Sequence, residues 1–500
     1  MSEFATTSER VKVPHDPLYV EYIDRDRYIE ELEYQFYTLL DTHRAWLVML
    51  VERGIVPAKD AAAVLAGLGQ LKSQGPESIE YKPGYNDVYT HIEQWLIQEV
   101  GREPVAHLSL ARTRPEPLMR MYYRGRILDC LEEIYNFRTV LLDAAEKHKG
   151  AVMPGYTHQQ HGQPTTFGSY LLAIHDPLAR ASAWMEMAYN STNESTMGCG
   201  ALAGTAFKID RYRVADLLGF DTIMESTIAS VSTGDHLVQA TSAANDAMIT
   251  LSRMCIDMEQ WSNTEAKFME PAPEFSDVSS MMPQKKNPCV FEFARGKISR
   301  VLGDTVGIYA GLLKSFYADV IDLEMTYGPS MRVLDQTEAT FKFMSGVIRT
   351  MVIHKQRMLA ATAEGFSTVS ELADEIFRSK GLPHRLAHSI VANTVTRALE
   401  DGMVATDITA AYVEKIAAEV TGQPLGLSES QVKKALDPME FVLSHDVPGG
   451  PAPKETTRMV GERRKRLGQE RGRLDQRREK IADGGKKLDE AVEGLLKKVS

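Results

Sequence analysis

Four long stretches of this chain carry apolar residues at helical spacing: Tyr28 to Arg53, Arg120 to Lys147, His236 to Glu265 and Phe291 to Gly311. Sustained two-residue alternation, the mark of a half-buried strand, is scarce. A helix of that length with one apolar face needs partners to cover it, so the pattern predicts an all-α protein built on a long helical bundle. A shorter helix is expected from Asp60 to Leu71, after Pro57. Past Gly365 the helices become shorter and Ala-rich, as in Glu371 to Arg378 and His384 to Glu400. Five hundred residues exceed one compact core, and the pattern shifts near Leu110 and Gly365.

Composition narrows the function. Hydrophobic residues make up 43% and charged ones 25%, as in globular proteins. No apolar run approaches the roughly 18 residues of a membrane span, and the N-terminus lacks the apolar core of a secretory signal. Cys130, Cys199, Cys255 and Cys289 show no metal-ligand spacing and read as reduced thiols of a cytoplasmic protein. No metal or cofactor is expected. A net charge of −11 argues against nucleic acid as a partner. An anionic substrate then needs a locally positive pocket, for which Arg112, Arg114, Lys285 and Lys286 are the candidates.

Chemistry concentrates in Ser279-Ser280-Met281-Met282-Pro283-Gln284-Lys285-Lys286-Asn287-Pro288. It offers hydroxyls to accept a proton, a lysine for a carboxylate and an amide that donates and accepts, between prolines that resist helix formation. This run resembles the signature loop of the fumarase/aspartase superfamily, whose members cleave C–N or C–O bonds of succinyl compounds and release fumarate. Met153-Pro154-Gly155-Tyr156-Thr157-His158-Gln159-Gln160, continued by Gln163-Pro164, resembles the segment that carries the catalytic Thr-His pair in the argininosuccinate lyase branch.

The resemblance, clear from about Asn86 to Tyr317, implies a three-domain lyase whose central bundles pack into a homotetramer with composite active sites. It implies an N-terminal domain over 1–112, a central bundle over 113–364 with the signature loop at 276–289, a small C-terminal domain over 365–455, and a charged helical tail over 456–500. Ser279 would be the base, with His158 and Thr157 as catalytic partners at the leaving nitrogen. Lys285 and Asn287 would hold the carboxylate that becomes doubly charged when the neighbouring proton leaves. Arg112, Thr113, Arg114, Thr90, Gln159 and Tyr317 would complete substrate binding. Gly200-Ala201-Leu202-Ala203-Gly204 lacks the order of a nucleotide site and reads as structure.

Three departures bear on the substrate. Pro115 replaces the Asn of the branch's Gly-Arg-Ser-Arg-Asn-Asp pattern and can donate nothing. Asp322 and Met325 stand where the branch has the Gln and Lys that grip the arginine half of argininosuccinate. Val278 stands where the signature begins with Gly, and a β-branched residue resists positive φ. The expected activity is therefore β-elimination of an N-substituted aspartate to fumarate and an amine, with a diamine-like cation better suited than arginine. Argininosuccinate is the alternative substrate. An inactive structural protein on the same fold, as some lens crystallins are, would be expected to have lost Ser279 or His158.

The tail has a period of its own. Val460, Leu467, Leu474, Ile481, Leu488 and Leu495 are seven residues apart, the repeat of a helix packed along one seam. Gly461 to Lys480 holds nine Lys/Arg and four Asp/Glu. A helix against the body, a coiled coil between subunits and a polyanion-binding arm all fit, and Gly484-Gly485 is expected to interrupt the helix.

Overall fold

The computed structural model describes residues 13–113 and 118–499. It is mainly helical, with four two-stranded pairings among the described residues. Helix α1 (Arg25–Glu52), α2 (Ala58–Gln74) and α3 (Val88–Val100) open the chain. Asp87 caps α3 by accepting from Thr90 N–H at 2.7 Å. Gly54, at φ 67°, ends α1 in a left-handed turn. Next come α4 (Leu118–Lys147), the hairpin β1 (Val152–Thr157) and β2 (Gln160–Thr166), and α5 (Phe167–Thr192).

Strand β3 (Glu194–Ser195) pairs with β4 (Thr222–Ile223) across α6 (Arg211–Leu217). Helix α7 (Asp235–Trp261) leads to β5 (Met269–Glu270) and to a second hairpin, β6 (Asp277–Val278) with β7 (Lys286–Asn287). Helix α8 (Cys289–Lys314), the short α9 (Ile321–Glu324) and α10 (Tyr327–Thr350) follow, then β8 (Val352–Ile353), which pairs with β5, and α11 (Lys355–Glu364). The helices expected from the periodicity are all present, each end within a few residues.

Three apolar cores result. The largest is the bundle of α4, α5, α7, α8 and α10, where Tyr123, Tyr135, Phe137, Phe291 and Phe341 are fully buried. A second gathers α1, α2 and α3 around Trp46, Leu65 and Ile92. The third lies among α12 (Val369–Lys380), α13 (His384–Glu400), α14 (Ala410–Thr421) and α15 (Glu429–Leu436), and α16 (Pro438–Ser444) follows. No helix among the described residues is long and apolar enough to cross a membrane.

The tail is one helix, α17 (Pro453–Val499), 47 residues and so about 70 Å long. Its seven-residue seam lies against the body: Val460, Leu467 and Leu474 join the bundle core, and Leu488 and Leu495 join the N-terminal core. The basic side chains meet body carboxylates, as in Arg463–Asp176 (2.6 Å), Arg473–Glu186 (2.9 Å) and Arg478–Glu132 (2.7 Å). Charge that looks like an anion-binding arm in sequence is thus largely matched within the chain. The break expected at Gly484-Gly485 does not occur. Gly484 is buried where α17 crosses Gly219, and a Cβ there would lie 2.4 Å from Gly219 N. The glycine serves a close helix crossing instead of ending the helix.

Candidate active site

The signature segment is a tight hairpin. Asp277 pairs with Asn287 and Val278 with Lys286, and Ser279 to Lys285 form the turn. Ser279 Oγ accepts from Met282 N–H at 2.9 Å and Met281 N–H at 3.3 Å. Two backbone donors on one hydroxyl oxygen stabilise its deprotonated form more than its neutral form. Val278 takes extended strand geometry, which suits a β-branched residue, so the substitution of the usual glycine brings no positive-φ strain.

The two lysines separate. Lys286 reaches back to Glu270 at 3.2 Å, and Glu270 also faces His354 at 3.7 Å. Lys286, a candidate for the positive pocket, is thereby the anchor that ties the turn to β5. Lys285 is exposed and makes no ion pair among the described residues. Asn287 sits in β7 at the base of the turn.

Thr157, His158 and Gln159 occupy the tip of the first hairpin. Thr157 pairs with Gln160, leaving a two-residue turn in which His158 and Gln159 have φ of 53° and 61°. Two successive left-handed residues define a type I′ turn, usually built from Asn-Gly. Here neither is glycine, and such strain costs on the order of 1–3 kcal/mol per residue. The neighbourhood holds the hairpin in place. Gly365 lies against His161, where a Cβ would come within 2.3 Å of the ring, and Gln163 donates to Ser370 Oγ at 3.2 Å. His158 and Gln159 are both exposed.

The remaining candidates lie elsewhere. Arg112 donates to His43 Nδ1 at 2.9 Å and lies 5.8 Å from the centre of the Tyr89 ring. Thr113 follows it, half-buried, while Arg114 and Pro115 lie outside the described residues. Thr90 is buried and its hydroxyl donates to Asp87 at 2.6 Å, a helix-capping contact. Tyr317, between α8 and α9, is 68% exposed. Asp322 and Met325 are exposed beside each other on the first turn after it.

Arg27 joins this corner together, 2.7 Å from Glu31 and 3.1 Å from Glu324, while Glu31 accepts from Val88 N–H at 2.9 Å. Burial pushes the Glu31 carboxyl up to about 7, and raises Glu324 and Asp319 as well. Sequence reasoning missed this network. Arg27 and Glu31 do stand four apart on one helix face, but nothing local points to Glu324.

Within one chain the candidates thus lie before and after long helices. Ser279 precedes the start of α8 and Tyr317 follows its end, so 26 helical residues, about 39 Å, separate them. Likewise the 30 residues of α4, about 45 Å, lie between Arg112 and the His158 turn.

The fold and these turns define a class of helical lyases, and the comparisons agree. A family model described as Lyase matches residues 9–303, and one described as Argininosuccinate lyase C-terminal matches 366–443. Argininosuccinate lyase of Methanosarcina acetivorans is 34% identical, covering 91% of this chain and 91% of its own length. That of Methanocaldococcus jannaschii is also 34% identical, over 85% of this chain and 87% of its own. The crystal structure of EDDS lyase in complex with formate superposes with a TM-score of 0.86 at 29% identity, covering 99% of both chains. Class II fumarase from Schistosoma mansoni, at 15% identity and a TM-score of 0.67 over 82% of this chain and 90% of its own, shares the fold.

The chain belongs to this lyase family, within the argininosuccinate lyase-like branch of the fumarase/aspartase superfamily. It is a carbon–nitrogen lyase that releases fumarate.

Proposed function

We propose that this enzyme eliminates a diamine-type amine from an N-substituted aspartate, in a homotetramer whose active sites draw residues from several subunits. Ser279, its oxygen cradled by two backbone N–H groups, takes the proton from the carbon next to the carboxylate. Lys285 and Asn287 hold that carboxylate as it gains charge, a contact that strengthens in the transition state. The C–N bond then breaks, the electron pair leaves on nitrogen, and His158 with Thr157 supplies or relays the proton to the departing amine. Arg112, with Thr113 and Arg114, holds the succinyl carboxylates, and Gln159, Thr90 and Tyr317 complete the pocket.

The homotetramer is supported by the placing of the candidates before and after the long helices α4 and α8, which sites composed from several subunits would bring together. Phe293, Leu302, Val306 and Leu313 on α8 are also more than half exposed, as are Ile249 on α7 and Met187 on α5. An apolar face of that extent marks an interface. The four free thiols support the reading of a reducing compartment such as the cytoplasm.

The single observation behind the amine assignment is the exposed pair Asp322 and Met325, in a corner whose other charges include Asp319, Glu324, Glu31, Asp87 and Arg27. An arginine half brings a carboxylate to that corner; a diamine brings only positive charge. Each lost charge-assisted contact costs about 1.5–3 kcal/mol, or roughly 10–150-fold in affinity. The likeness to EDDS lyase over 99% of both chains supports the same reading.

Argininosuccinate is the second reading, favoured by the name its curated relatives carry. The test is fumarate absorbance, giving kcat/KM for N-(2-aminoethyl)aspartic acid, ethylenediamine-disuccinate and argininosuccinate side by side. Turnover of the diamine compounds with poor use of argininosuccinate is expected. Rapid argininosuccinate cleavage with the diamine compounds inert would overturn the assignment.

A further inference from the structure

We infer that His43 is a positioning residue for substrate binding, acting through Arg112. The inference rests on the reading of Arg112 as a carboxylate-binding residue. His43 lies on α1 with no exposed surface, and its Nδ1 is 2.9 Å from an Arg112 guanidinium nitrogen. A guanidinium only donates and stays charged, so Nδ1 must present its lone pair. The ring is therefore neutral with its proton on Nε2. Burial and the charge of Arg112 both drive it there, holding its pKa well below the usual value.

That arrangement is expensive for a residue with no task. The Nε2–H is buried and finds no partner among the described residues, so the ring carries an uncompensated desolvation cost. A leucine at this fully buried position of α1, between Thr42 and Arg44, would pack without it. What the histidine supplies is a directional acceptor aimed at one nitrogen of the Arg112 fork. Tyr89 completes the clamp: its ring meets His43 edge-on at 5.1 Å between centres, and the Arg112 guanidinium lies 5.8 Å from it. One contact fixes an N–H direction and the other bounds the plane.

The choice of a neutral acceptor matters chemically. A carboxylate in the place of His43 would orient Arg112 equally well but set a negative charge against the anion that Arg112 is to receive. A neutral imidazole orients the guanidinium and adds no opposing charge. Orientation counts because a bidentate arginine–carboxylate pair requires the two planes to align. His43 does not touch the substrate; it holds the group that does.

The test uses the full-length enzyme and fumarate as probe, with its Kd measured by calorimetry at neutral pH. His43→Phe keeps an aromatic ring and removes the acceptor; His43→Asn keeps a neutral acceptor near the position of Nδ1. His43→Phe should weaken fumarate binding by about 10-fold or more, and His43→Asn should recover most of the loss. In an Arg112→Met background, His43→Phe should change nothing further, because its action passes through Arg112. Subunit mass and melting temperature show that each variant folds, and His43→Leu replaces His43→Phe if the latter does not. Unchanged binding in His43→Phe overturns the proposal, as does an equal loss with and without Arg112, which marks a structural role. If Arg112→Met alone leaves binding intact, the reading of Arg112 has failed, and the inference falls with it.

Discussion

Two adjacent glycines in α17 should respond to alanine with opposite signs. A Cβ on Gly484 would sit 2.4 Å from Gly219 N, 2.5 Å from Gly219 Cα and 3.2 Å from Asp216 O. These are backbone atoms and cannot rotate away, and Gly219 is itself held at φ 68° at the end of α6. Normal carbon contacts need about 3.5–4.0 Å, so α17 must lift by about 1 Å at the crossing. Overpacking of this kind costs about 1–3 kcal/mol, against about 1 kcal/mol gained from the better helix propensity of alanine. The net effect expected for Gly484→Ala is a loss of up to about 2 kcal/mol. Full detachment of the helix end would cost more, because Leu488, Val492 and Leu495 are each buried there, at about 1.5–3 kcal/mol apiece.

Gly485 meets nothing within 4 Å, so Gly485→Ala should stabilise by up to about 1 kcal/mol. Amide hydrogen exchange over residues 481–499 is the direct assay, since global unfolding of a multi-core chain is not two-state. Faster exchange in Gly484→Ala and slower exchange in Gly485→Ala is the expected pair. Equal protection in both variants would refute the close crossing.

Other consequences are simpler to state. Ser279→Ala should lower kcat by about 10²–10⁴ with fold and subunit mass unchanged; retention of more than about a tenth of the rate would move the base to Ser280. Acid should weaken the fold, because buried histidines are held neutral: burial, with Lys355 and Lys147 nearby, brings His148 down to about 4, and His43 and His236 shift the same way. The unfolded chain takes up those protons first, so stability is complete above about pH 6.5 and falls toward pH 4. Melting temperatures at pH 5 and pH 8 that coincide, or a His148→Phe variant with an unaltered acid slope, would contradict this.

The long helices were legible because a 3.6-residue apolar period is local information, and so was the seam of α17, whose period of seven survives any tertiary context. The residue types of the signature segment and the Thr157-His158 pair likewise carry the family resemblance without a fold. Tertiary structure decided everything that depends on what comes close in space. Gly484-Gly485 reads as a helix break until Gly219 is seen to require the missing side chain. Lys285 and Lys286 look equivalent until Glu270 engages one of them. The left-handed turn at His158 and Gln159 has no glycine to announce it and persists because Gly365 and Ser370 support the hairpin. His43 looks like one more residue of the Asp41-Thr42-His43-Arg44 run, and only the return of the chain at Arg112 gives its lone pair a partner. The spacing of the candidates along the bundle follows from helix length, since 1.5 Å per residue over α4 and α8 sets the starts and ends of these helices roughly 40 Å apart.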